Sequence, residues 1–254
     1  MIGARNVVLV SMIAVLGSGI EDFAAAAQQA GLRVGAAAVN LEADDSMVIA
    51  GNIVPGRAEG QEGELRAVAV VIEKPGSGKV AIVACDVLFV TAEDVDPVVA
   101  RIEQTTGIPA SHVLVNATHT HHAPSTAVVH GYGRDEVFSQ RLREGIVEAV
   151  QQANAKLGGG ESDFLFHLGE ERTVGINSRI RLADGRIFWI GPRPDEIGPT
   201  GPLDVQLPVL AFRGPGDRLR ALIYNHSTHP IGTIQSGVRS PSFYGLAAQQ
   251  LEAQ

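Results

Sequence analysis

Ser111-His112-Val113-Leu114-Val115-Asn116-Ala117-Thr118-His119-Thr120-His121-His122-Ala123-Pro124 is the stretch on which the fold turns. Its first half is a short apolar run of the kind that forms a buried strand. Its second half is polar and ends in proline, which marks a loop. Helical patterns flank it, over residues 92–105 before it and 134–157 after it. In the longer one Phe138, Leu142, Ile146, Val150, Ala153 and Leu157 recur at helical spacing and give one core-facing stripe. Gly158-Gly159-Gly160 then ends that helix.

Further strands are expected over 33–39, 65–73, 80–88, 162–168, 186–190, 207–213 and 219–224. Lys74-Pro75-Gly76-Ser77-Gly78-Lys79 and Gly214-Pro215-Gly216-Asp217-Arg218 read as hairpin loops between neighbouring strands. Strand–helix alternation mixed with hairpins predicts an α/β fold, with mixed β-sheets and flanking helices in a single domain. A last helix is expected from residue 243 to the end.

At 254 residues the chain is long enough to bury a substantial core. Its net charge of −8 argues against nucleic acid as a partner, which would need a basic face. The single cysteine, Cys85, excludes an internal disulfide and any cysteine-based zinc cluster, and it sits in an apolar run where a buried, inert thiol is expected. The apolar run over 7–16 is too short to span a bilayer but has the length of a signal-peptide core. Residues 1–31 are therefore expected to be a leader or N-terminal extension, favouring a secreted or periplasmic location. The alternative is a buried strand, a Gly17-Ser18-Gly19 turn and a helix over 20–30.

The loop after Ala117 holds three of the eight histidines within four positions. On extended backbone His119 and His121 would face one side and His122 the other. Neutral imidazole is the commonest protein metal ligand. The same order of features recurs at Leu219-Arg220-Ala221-Leu222-Ile223-Tyr224-Asn225-His226-Ser227-Thr228-His229-Pro230: an apolar strand, polar residues, histidines, then proline. Two such strand ends side by side would bring His119, His121 and His226 to one cleft. With nitrogen ligands and no thiolate, zinc is the leading ion, ahead of iron or manganese. A catalytic zinc takes three protein ligands and keeps one open position, and the sequence leaves the third ligand undecided.

Thr118-His119-Thr120-His121-His122-Ala123-Pro124 resembles the Thr-His-Thr-His-Ser-Gly-Pro motif of the neutral/alkaline (non-lysosomal) ceramidase family. Asn225-His226-Ser227-Thr228 resembles the strand end that carries that family's second metal histidine. The similarity runs from about residue 32 to the C-terminus, through Val83-Ala84-Cys85-Asp86 and Asn177-Ser178-Arg179-Ile180-Arg181. It implies a zinc-dependent hydrolase that cleaves the amide of an N-acyl sphingoid base, a small-molecule or lipid substrate, into fatty acid and sphingosine. It further implies His119 and His226 as zinc ligands, and His121 as a proton-shuttling or oxyanion-binding neighbour. Arg181, or Arg179, would supply charge to the oxyanion.

The chain departs from the pattern at His122-Ala123, at Asn40-Leu41-Glu42, in the additional His229 and at Ser242, where the family has Asp. The family's other ligands, a glutamate and a tyrosine, lie in sequence beyond residue 254. Residues 32–254 are thus expected to be an N-terminal catalytic domain, incomplete at its C-terminal side. The alternatives are a non-catalytic, metal- or ligand-binding remnant of the same fold, or a fragment inactive without those ligands.

Overall fold

The computed structural model describes residues 8–10, 31–189 and 193–254. In chain order the strands are β1 (Val8–Val10), β2 (Leu32–Asn40), β3 (Arg66–Lys74), β4 (Gly78–Cys85), β5 (Val113–Ala117), β6 (Glu161–Glu170), β7 (Arg179–Leu182), β8 (Ile187–Trp189), β9 (Glu196–Pro199), β10 (Gln206–Gly214) and β11 (Arg218–Tyr224). The helices are α1 (Ala92–Thr106), α2 (Glu136–Ala155) and α3 (Ser242–Glu252). Each strand and helix expected from hydrophobic patterning is present, with ends shifted by a few residues. The short β7 and β9 carried no such pattern. The Gly17-Ser18-Gly19 turn and the helix over 20–30 lie outside the described residues, whereas Val8–Val10 pair in parallel with Ala221–Ile223.

Eight described strands join in the order β1-β11-β10-β6-β2-β3-β4-β5, and β8-β7-β9 make a separate small sheet. The large sheet is mixed: β1–β11 and β4–β5 are parallel, the rest antiparallel. Its two halves meet through only two residue pairs, Leu32 with Ser162 and Arg33 with Glu161. That narrow seam lets one half fold over the other. Val34 and Ala36 of β2, Val68 and Val70 of β3 and Ala84 of β4 then bury against Phe212 of β10 and Ala221 of β11.

Alternation puts the neighbours of those residues on the opposite face. Ala67, Ala69, Val71, Ala81 and Val83 pack against Phe138, Leu142, Ile146, Val150 and Ala153 of α2, all five of the helix residues fully buried. The layers are thus helix, sheet, sheet and helix, because Tyr244 and Ala248 of α3 cover Leu207, Val209 and Tyr224 on the outer side of β10 and β11. Asp135 caps α2 by accepting a hydrogen bond from the Phe138 amide at 2.8 Å. Among the described residues no helix is long and apolar enough to cross a membrane.

Candidate metal centre

Strands β4 and β5 run in parallel, so both deliver their C-terminal ends to one edge. The ladder continues one step past them: Thr118 N–H donates to Cys85 O at 2.9 Å and His119 N–H to Val87 O at 3.0 Å. There the extended backbone stops. His119 has φ +66°, a left-handed conformation that a non-glycine residue holds only where its surroundings fix it. Histidines 119 and 121 do come together, but through this turn and not through the strand alternation expected from sequence. The loop is braced on both sides. Thr120, fully buried, donates to Ser240 O at 2.7 Å, and the His122 Nε2–H donates to Ile231 O at 3.0 Å.

Three imidazoles converge: one ligand nitrogen each from His119, His121 and His229 lies within 4.8 Å of the other two. The His119 and His121 rings meet edge-on at 5.0 Å between centroids, and His229 stacks on His119 at 4.9 Å. His119 Nδ1 lies 2.9 Å from Leu88 O, and His121 Nδ1 lies 3.2 Å from Gly51 O. A carbonyl only accepts, so each Nδ1 carries the proton and each Nε2 presents a lone pair. Metal-binding histidines are oriented by this kind of outer hydrogen bond. The Nε2 atoms of His121 and His229 stand 2.6 Å apart, at hydrogen-bond distance, with the His229 Nε2–H directed at the lone pair of His121 Nε2.

Burial, then the neighbouring His229 and His119, push the His121 imidazole down to about 4. Burial and His119 lower His229 as well. Both rings are therefore neutral at ordinary pH, which is the form that binds metal.

Gly51 is required for this approach. It has φ +99°, and a Cβ on it would come within 2.4 Å of His121 Nδ1. Its amide donates to the Tyr132 hydroxyl at 2.9 Å, and that hydroxyl donates to Asn52 O at 3.0 Å.

A cavity of about 410 Å³ opens beside the trio, with His119, His226 and His229 in its wall along with Thr118, Tyr224 and Thr228. Among the described residues no Asp, Glu, Lys or Arg side chain lines it. His226 is buried there, but His229, not His226, is the third member of the converging group. Glu171 Oε2 approaches His226 Nε2 at 3.9 Å. Burial pushes Glu171 up, but donors from Thr173 and Val174 outweigh it and hold the carboxyl below its ordinary range. Arg179 and Arg181 are exposed on β7 of the small sheet, outside the cavity wall. Arg179 lies over the Trp189 ring at 5.8 Å.

Sequence reasoning noted His229 only as an additional imidazole, and it missed Glu171 and Gly51. The signal for His229 was its place in the second histidine cluster, directly before Pro230. The trio could hold a metal ion on its donor set: three imidazole nitrogens, two of the rings held in orientation by backbone carbonyls.

No family model matches the sequence, and no curated protein does. Solved structures do. A ceramidase complexed with C2 superposes with TM-score 0.61 and 21% identity, over 84% of this chain and 37% of its own. A neutral ceramidase from Pseudomonas aeruginosa gives 0.60 and 20% identity, over 84% and 38%. At that identity the likeness concerns the fold. The resemblance read from the histidine motifs holds at this level, and the chain has the fold of neutral ceramidases over less than two fifths of their length.

Proposed function

We propose that this chain carries the metal-holding part of a zinc-dependent amide hydrolase of ceramidase type, acting on N-acyl sphingoid bases or related lipid amides. The observation that carries the proposal is the convergence of His119, His121 and His229 with two Nδ1 protons tied to backbone carbonyls. A zinc ion bound there would polarise an amide carbonyl and lower the pKa of water to about 7. The residues themselves do the holding. Leu88 O and Gly51 O fix which nitrogen of each ring is free, and His229 closes the third side. Of the ligand pair implied by the family motif, His119 keeps its role, and the second place passes from His226 to His229. His121 is a ligand here instead of a proton shuttle. The arginines of β7 take no part.

Metal content decides the matter. The purified protein, dialysed and titrated with zinc, should hold about one equivalent by mass spectrometry, and His119→Ala or His229→Ala should each lower its affinity at least tenfold. Chelator treatment should abolish release of fatty acid from a short-chain N-acyl sphingosine, and zinc should restore it. Failure of the wild-type protein to retain zinc would sink the proposal.

A further inference from the structure

Six buried side-chain polar atoms among the described residues lack a hydrogen-bond partner, and four of them belong to one short row: Tyr224 Oη, His226 Nδ1 and Nε2, and Thr228 Oγ1. Buried polar groups are normally satisfied, and each exception calls for a cause. These three residues alternate along the chain, and all three line the cavity beside the histidine trio. Between them, the Asn225 backbone N–H donates to Pro208 O at 3.2 Å, and the Ser227 hydroxyl donates to Asp204 O at 2.8 Å.

The row is also held rigid. The Tyr244 hydroxyl reaches His226 O at 2.5 Å and Thr228 O at 3.0 Å, clamping the backbone from behind. Gly175 packs so tightly on Thr228 that a Cβ there would come within 2.4 Å of Thr228 Oγ1. Unpartnered atoms on a clamped backbone are the mark of a wall built for an occupant.

We propose that Tyr224, His226 and Thr228 form the wall that reads the uncharged, hydroxyl-bearing part of the substrate, and that His226 serves this purpose and not metal binding. Three facts select that chemistry. A tyrosine or threonine hydroxyl both donates and accepts, and a neutral imidazole offers one of each. Substrate hydroxyls match such a set. A carboxylate or phosphate only accepts, and among the described residues the cavity wall has no lysine or arginine to neutralise it. Leaving a buried polar group unmatched is what makes such a wall selective.

The inference rests on the amide-hydrolase reading for the rest of the ligand, so its test is arranged to fail separately. Binding of three short amides of equal chain length is measured by calorimetry on chelator-treated protein. They are an N-acyl amino diol, the N-acyl alkylamine lacking both hydroxyls, and an N-acyl amino acid. The wild type should bind the amino diol amide at least tenfold tighter than either other ligand. Tyr224→Phe and Thr228→Val, which keep shape, should each shrink that preference several-fold, consistent with the loss of one hydrogen bond. His226→Asn should shrink it while the protein still takes up one equivalent of zinc. Equal binding of the three ligands, binding of none, or a preference untouched by the substitutions would overturn the inference, because the row would then hold only water. Loss of zinc in His226→Asn with retention in His229→Asn would overturn it too. Should His226→Asn not fold, the two shape-keeping variants carry the test. Absence of zinc uptake by the wild type would instead count against the metal-centre proposal alone.

Discussion

Gly51 shows how much of the centre depends on single atoms. Its carbonyl receives the His121 Nδ1 proton, and its missing side chain leaves the space in which the ring sits. Gly51→Ala adds one methyl group at a positive φ and against the imidazole, so His121 must turn away. Zinc affinity is expected to fall about 10- to 100-fold, as it does when an orienting partner is removed. Circular dichroism should stay unchanged, and competition with a chromogenic chelator would measure the loss. Unaltered affinity would show that His121 is not held by Gly51. None of this was legible in the sequence. Met47-Val48-Ile49-Ala50-Gly51 is 70 residues away from His121, and nothing local in it says which carbonyl a distant ring will find.

Elements were far more legible than contacts. The stripe on α2 follows from spacing alone, because burial on one face repeats every three or four residues. Phe138 sits at its start, fully buried, with its amide tied to the Asp135 cap. Phe138→Ala should cost about 3–5 kcal/mol in urea unfolding through the cavity it leaves. A loss below about 1 kcal/mol would mean that the helix end repacks. In the small sheet, β7 and β9 were hidden for the opposite reason. Each spans only four residues, too few to set a period, and β7 alternates Arg, Ile, Arg, Leu. The arginines were read there as site residues because the family motif supplied a role that local pattern could not test. The two histidine-bearing strand ends were visible as elements. Which of the histidines after β11 would join the trio was not set by the strand itself: it is His229, five residues past the strand end.

At the scale of the whole molecule, Asp86 is a tie-point between layers. Its carboxylate accepts from the Arg66 amide of β3 at 3.0 Å and from the Thr118 hydroxyl at 3.2 Å, and a Cβ on Gly245 of α3 would lie 3.2 Å from it. Burial pushes it up to about 7, against the pull of Arg66 and the two hydrogen bonds, and Glu252 adds to the rise. The folded state therefore holds this proton more tightly than the unfolded chain. Its contribution is complete below about pH 4 and is lost as pH rises through about 7. Asp86→Asn cannot lose a proton. Measured against wild type, that variant should gain on the order of a few kcal/mol in unfolding free energy between pH 4 and pH 8. A difference that does not change with pH would refute the assignment.

The same helix that approaches Asp86 also reaches the cavity through Tyr244. One phenol hydroxyl joins α3 to the peptide carbonyls of His226 and Thr228, so wall and helix cannot separate independently. In native-state amide exchange they should behave as one cooperative opening unit. Residues of α3 that never meet a substrate would then govern how long the cavity wall stays in shape to receive one.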